Sequence, residues 1–222
     1  DGAEFQVNTY TSNDQYNPSV TDLADGGFVI TWESSGQDGS GYGIYGQRFN
    51  ADGTAHSDGE FRVNSYISSE QTEPDVTALL DGGFVVTWQS SGQDGSGYGI
   101  YGQRYDTSGV PVGDEFQVST ETYQSQQDPV VTTLADGSFV IAWESDYQDN
   151  NGSSDSGIFS QHFNADGTRA SDAKLIGGSG DETLIFDAAQ DGLAIDLGDG
   201  IDTLTLGAGN DSIAVANTET VN

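Results

Sequence analysis

The chain has 222 residues, 36 acidic against 5 basic, for a net charge of −31, and no cysteine. That balance excludes nucleic acid and anionic membrane as partners, because binding phosphate needs patches of lysine and arginine. Without cysteine there is no disulfide framework, no thiolate zinc site and no cysteine nucleophile. No apolar run is long enough to span a bilayer, so membrane insertion is not expected. Aromatic and β-branched residues recur in regular runs, the mark of a chain that folds. Charge of this size repels itself in a compact state, and divalent cations or ambient salt are the natural compensation.

The chain opens on Asp1-Gly2-Ala3-Glu4-Phe5, which reads as the middle of a repeat and implies a processed product or a piece of something longer. The repeat itself is plain. Phe28-Val29-Ile30-Thr31-Trp32 returns as Phe84–Trp88 and as Phe139–Trp143, a period of ~55 residues. Gly43–Phe49 returns as Gly99–Tyr105 and more loosely as Gly157–Phe163, and Glu4–Asn8 returns as Glu60–Asn64 and Glu115–Ser119. Pro18, Pro74 and Pro129 each stand at the same distance before the tryptophan.

In chain order the first repeat predicts four short strands. Ser19–Leu23 alternates apolar and polar residues, and the turn Asp25-Gly26-Gly27 follows it. Gly27–Glu33 is a near-continuous apolar run suited to burial on both faces. A Gly/Ser-rich loop over 34–41 leads to Tyr42–Phe49, and Asn50-Ala51-Asp52-Gly53 turns the chain toward Glu60–Asn64. No segment has a helical period. The expected fold is therefore all-β: three tandem four-stranded, blade-like repeats over residues 1–172 (about 1–59, 60–114 and 115–172), resembling a β-propeller. A β-solenoid or β-sandwich is the alternative. Propellers have roughly four to eight blades, so three imply a longer array, or a homo-oligomer or filament that closes or extends the set. Because the chain starts on a fourth-type strand, neighbouring repeats are expected to complete one another's sheets.

Residues 173–222 follow a different rule. Gly177–Ile185, Leu197–Thr205 and Leu206–Ala214 fit a nine-residue pattern, Gly-Gly-x-Gly-x-Asp-x-apolar-x, with Glu182 in the aspartate place of the first unit. Here the chain resembles the RTX-type secreted bacterial proteins, whose nonapeptides wind a calcium-binding β-roll. The long repeat is similar to modules of large extracellular adhesin-like proteins. The resemblance implies a short calcium-binding β tail, with Glu182, Asp202 and Asp211 as carboxylate ligands and the carbonyls of Gly178, Gly180, Gly198, Gly200, Gly207 and Gly209 as their partners. It also implies a secreted, extracellular location.

Within the repeats, the loop Ser35–Tyr42 reappears unchanged at Ser91–Tyr98, and the third copy is rebuilt around Asp146-Tyr147-Gln148-Asp149. Such a loop can bind calcium, a sugar or the adjoining blade, which makes Asp38, Tyr42, Asp94, Tyr98, Tyr147 and Asp149 candidate ligand residues. Glycine, aspartate and serine are equally what β-turns use. Trp32, Trp88 and Trp143 close apolar strands and read as core. Arg48 and Arg104 share one repeat position, taken by His162 in the third, and are expected to pair with nearby carboxylates. No nucleophile-elbow sequence accompanies the histidines, and abundant acids assign no catalytic pair. The sequence thus favours a calcium-binding extracellular module with an adhesive or structural role and no catalytic residues. A calcium-dependent lectin acting on glycans or cell-surface polymers is the alternative, and a carboxylate-based glycosidase on a propeller scaffold is the third reading.

Overall fold

A computed structural model describes residues 4–148 and 156–170, together with six short strands between Lys174 and Val221. Contacts divide the chain into two units, residues 1–168 and 169–222.

The first unit is a tandem of antiparallel sheets. Sheet 1 runs β1 (Gln15–Asp22), β2 (Phe28–Ser35), β3 (Tyr42–Phe49) and β4 (Phe61–Arg62) in that order. Sheet 2 repeats it with β5 (Gln71–Ala78), β6 (Phe84–Ser91), β7 (Tyr98–Tyr105) and β8 (Pro111–Gln117). Sheet 3 holds β9 (Gln126–Thr133), β10 (Phe139–Asp146) and β11 (Ser156–Phe163). The second and third strands fall where the apolar pattern placed them. The first strand starts earlier than the alternation suggested, at Gln15, because a bulge interrupts it: the register of β1 on β2 jumps between Tyr16 and Ser19. The fourth strand of sheet 1 keeps only Phe61 and Arg62 of the expected five residues.

Consecutive sheets cover one another face to face. The first strand of a sheet packs across the longer strands of the sheet before it, so β5 lies on β1, β2 and β3, and β9 on β5, β6 and β7. One cluster between sheets 1 and 2 joins Leu23, Val29, Ile44 and Val63 to Val76, Phe84, Val86 and Trp88. A second between sheets 2 and 3 joins Leu79, Val85, Ile100 and Val118 to Val131, Phe139, Ile141 and Trp143. The tryptophans are core residues, as their strand position implied. Burying side chains of this size is worth roughly 1.5–3 kcal/mol each, the main reason consecutive sheets stay together. Fourth-strand phenylalanines wedge the seam: Phe61 lies 5.4 Å from Tyr105, and Phe116 5.3 Å from Phe163, ring centre to ring centre.

The arginines fasten the same seams. Arg48 donates to the Asp58 carboxylate at 3.3 Å and reaches into sheet 2 to the Thr107 carbonyl at 3.0 Å. Arg104 donates to Asp81 at 3.1 Å and to the Asp166 carbonyl of sheet 3. The expected pairing within a repeat is present, and each side chain also ties its sheet to the next. In the third repeat His162 sits 2.8 Å from the Ser138 hydroxyl.

The second unit is wound differently. Strands β12 (Lys174–Ile176), β14 (Asp191–Asp196) and β16 (Ser212–Ala216) form one parallel sheet. Strands β13 (Thr183–Ile185), β15 (Thr203–Thr205) and β17 (Thr220–Val221) form another. Successive strands therefore alternate between two parallel sheets.

Candidate functional site

The first strands β1, β5 and β9 bring one repeat position together three times. Asn17, Glu73 and Asp128 each precede a proline, and all three have left-handed backbones, with φ of 48°, 52° and 53°. Residues with a side chain rarely adopt that region, at a cost of about 1–3 kcal/mol each, and it clusters at functional sites. The cause is local: the bulge before Pro18 and Pro74 turns the preceding residue out of the ladder. A cleft of about 450 Å³ opens there, lined by Asn17, Ser19, Glu73, Asp75, Asp128, Val130 and the three prolines.

Hydrogen bonds fix the carboxylates within it. The buried Glu33 accepts from the Asn17 amide at 2.8 Å and from the Glu73 backbone N–H at 2.6 Å. The Asn17 amide also donates to the Glu73 carboxylate at 3.0 Å. Asp75 accepts from the Ser19 hydroxyl at 2.7 Å and from the Val131 N–H at 2.8 Å, which ties all three first strands together. Gln89 stands where Glu33 does one repeat earlier and accepts from the Asp128 N–H at 2.9 Å. Burial, followed by the charges of Glu33 and Asp128, pushes Glu73 above the usual carboxylate range, against the Asn17 hydrogen bond. An acid with a raised pKa beside a second, open carboxylate is the pairing that acid–base chemistry uses.

The residues singled out in the sequence lie elsewhere. Asp38 caps its own loop by accepting from the Ser40 N–H at 3.0 Å, and Asp94 does the same with Ser96 at 3.1 Å. Gln37 and Gln93 donate to Glu60 and Glu115 beside the fourth strands. Ser40 donates to the Ser69 carbonyl at the start of the next repeat. Of these bonds, the one from Ser40 reaches the adjoining repeat. Tyr42 lies against Tyr16 with ring centres 6.2 Å apart, the Tyr98 hydroxyl donates to Glu70 at 3.2 Å, and Tyr147 is exposed. Asp149 and the whole expected calcium set, Gly178, Gly180, Glu182, Gly198, Gly200, Asp202, Gly207, Gly209 and Asp211, lie outside the described residues. Among the described residues no group of three or more histidine or acidic side chains is disposed to hold a metal ion, and no helix is long and apolar enough to cross a membrane.

No family model matches the chain, and no curated protein sequence matches it. Its fold is similar to solved structures. A Hadza microbial sialidase matches at a TM-score of 0.51 with 12% identity, over 70% of this chain and 37% of that one. An endo-arabinase from Bacteroides thetaiotaomicron matches at 0.45 with 14% identity, over 71% and 60%. An endo-1,4-β-xylanase from the same organism matches at 0.47 with 13% identity, over 72% and 60%. The chain thus spans about 60% or less of the length of these structures. The expectation that the chain is not an enzyme is corrected: its fold is one that enzymes share, a structure named as a sialidase among them at a TM-score of 0.51. The carboxylates of the cleft, which sequence could not assign, are brought together by first strands far apart in the chain.

Proposed function

We propose that residues 1–168 form a carboxylate-based glycoside-cleaving module acting at the cleft between β1, β5 and β9. The observation that carries the reading is Glu73: partly buried, held at positive φ, and made more basic by burial and by Glu33 and Asp128. Glu73 serves as general acid, giving its proton to the glycosidic oxygen as the bond to the anomeric carbon breaks. Asp128 takes a proton from the water that attacks that carbon. Glu33 and Asn17 are positioning residues that hold the Glu73 backbone and carboxylate. The substrate class is a neutral polysaccharide. Arg48 and Arg104 are engaged between sheets, no arginine lines the cleft, and a net charge of −31 repels acidic sugars. Enzymes acting on such polymers work outside the cell, which agrees with the extracellular location expected from the sequence. Reducing-sugar release from neutral arabinan and xylan, lost in Glu73→Gln and in Asp128→Asn, is the expected result. Turnover unchanged in both variants would overturn the assignment.

A second reading concerns residues 169–222, as a calcium-binding β-roll. Its support is the winding of β12 to β17 into two alternating parallel sheets, the course a nonapeptide roll requires. Calcium would be held by the oxygen ligands of the Gly-rich turns and would stabilise the unit by mass action. Adding calcium to the EDTA-treated chain is expected to protect this unit from proteolysis, and equal cleavage with and without calcium would refute it.

A further inference from the structure

The loop between the second and third strands holds buried oxygens that no donor reaches. In sheet 1 one oxygen of Asp38 accepts from the Ser40 N–H, and the other, Oδ2, is buried without a hydrogen-bond partner. Gln37 donates its amide nitrogen to Glu60, which turns the amide oxygen the other way, and that oxygen is also buried and unpartnered. Sheet 2 repeats the arrangement. Asp94 accepts from the Ser96 N–H and Gln93 donates to Glu115, while Asp94 Oδ2 and Gln93 Oε1 are buried without a partner.

The strand beside each loop adds a third oxygen. Ser34 pairs directly with Gly43, and Ser90 with Gly99, so each serine side chain shares a face of the sheet with the place of the missing glycine side chain. A Cβ placed on Gly43 would lie 2.9 Å from Asp38 Oδ2, and one on Gly99 would lie 2.7 Å from Asp94 Oδ2. The carboxylate thus fills the room that the glycine leaves, on the serine's side of the sheet. Both serines are fully buried. Ser34 Oγ has no hydrogen-bond partner, and Ser90 Oγ accepts at 3.4 Å from Gln71. Ser145 pairs with Gly157 in the same way on sheet 3, and its Oγ is again fully buried and unpartnered.

A buried carboxylate oxygen with no donor bears its full desolvation cost. The ion pairs of Arg48, Arg104 and His56 go to Asp25, Asp58 and Asp81, and none reaches Asp38 or Asp94. Carboxylate and amide oxygens only accept, so a cation satisfies them where no donor does. We propose that the loops 35–42 and 91–98 each bind one calcium ion, through Asp38 and Ser34 in sheet 1 and through Asp94 and Ser90 in sheet 2, with the Gln37 and Gln93 amide oxygens beside them. Carboxylate, amide and hydroxyl oxygens are the hard ligands calcium takes, and loop carbonyls and water complete its shell. Each site has one carboxylate among neutral oxygens, which sets its affinity in the weak range of extracellular modules, about 10⁻⁴–10⁻³ M. The sites lie within residues 1–168 and depend on neither the catalytic cleft nor the calcium-binding roll.

The test is equilibrium dialysis of the full chain, stripped with EDTA, against radioactive calcium up to ~10 mM in ~0.15 M sodium chloride, which screens diffuse attraction to the anionic surface. At saturation Asp38→Asn/Asp94→Asn binds two ions fewer than the wild type, and each single variant one fewer. Asparagine keeps the oxygen that accepts from Ser40 or Ser96, so far-UV dichroism and tryptophan emission stay as in the wild type. Ions held by residues 169–222 are common to all these proteins and cancel in the difference. Asp52→Asn/Asp106→Asn removes the same charge from exposed turns and binds as the wild type does. Ser34→Ala/Ser90→Ala moves half-saturation of the two sites to higher calcium. Equal binding by the wild type and the Asp38/Asp94 variant would assign these oxygens to buried water and overturn the proposal. The same loss in the Asp52/Asp106 control, or an unmoved half-saturation in the serine variant, would also overturn it.

Discussion

Gly102→Ala tests the seam between sheets 2 and 3 at its tightest point. Gly102 pairs with Phe116 across β7 and β8, and a Cβ placed there would lie 2.8 Å from the tip of the Phe116 ring. Carbon atoms rest about 3.5–4.0 Å apart, so the ring would have to withdraw by close to 1 Å. It cannot do so freely, because Phe163 packs against it and is itself stacked on Phe139 at 5.1 Å. Overpacking of this kind costs about 1–3 kcal/mol. For a domain this long each kcal/mol lowers Tm by about 2–4 °C, which thermal unfolding followed by the buried tryptophans resolves. Phe116→Leu removes the colliding ring tip at its own cost in packing. The double variant is expected to be no less stable than Phe116→Leu alone, a favourable coupling of about 1 kcal/mol or more. A neutral Gly102→Ala, or strictly additive effects, would show that the ring does not press on this glycine and that the seam is looser than described.

Arg104→Ala removes the charged hydrogen bonds to Asp81 and the Asp166 carbonyl and should cost about 2 kcal/mol, read as a lower urea midpoint. Burial and then Asp38 push Tyr45 up to about 12, and burial and then Asp94 do the same for Tyr101. The unfolded chain releases these protons near pH ~10, so their stabilisation is complete below that pH and is lost as pH rises toward 12. Ultraviolet titration should therefore show both phenols ionising late, and ionisation of every tyrosine near pH ~10 in the folded chain would count against it. Glu73 is shifted upward, so its contribution is full below the ordinary glutamate pKa and is lost as pH rises through the folded value. Glu73→Gln should raise Tm at neutral pH and leave it unchanged below pH ~4; an equal shift at both would refute the desolvation argument.

The sheets were legible because apolar runs such as Phe84–Trp88 and turns such as Asp81-Gly82-Gly83 carry their own local signals. The bulge at Asn17-Pro18 was not, since a register jump on a neighbouring strand leaves no trace in alternation. The site was hidden for a related reason. Sequence identity drew notice to the loop Ser35–Tyr42, which Ser40 ties to the next repeat. The cleft is built instead from a position that varies, Asn17, Glu73 and Asp128, and its residues become neighbours only when three first strands lie side by side. The constant proline after each was the one available sign.

The most direct measurement is the carboxyl titration of Glu73 by carbon-13 NMR in the folded chain. An inflection clearly above that of a free glutamate, moving down in Asp128→Asn as a neighbouring negative charge is removed, is the predicted result. A Glu73 that titrates at or below the ordinary value, indifferent to Asp128, would contradict its role as the proton donor of the cleft.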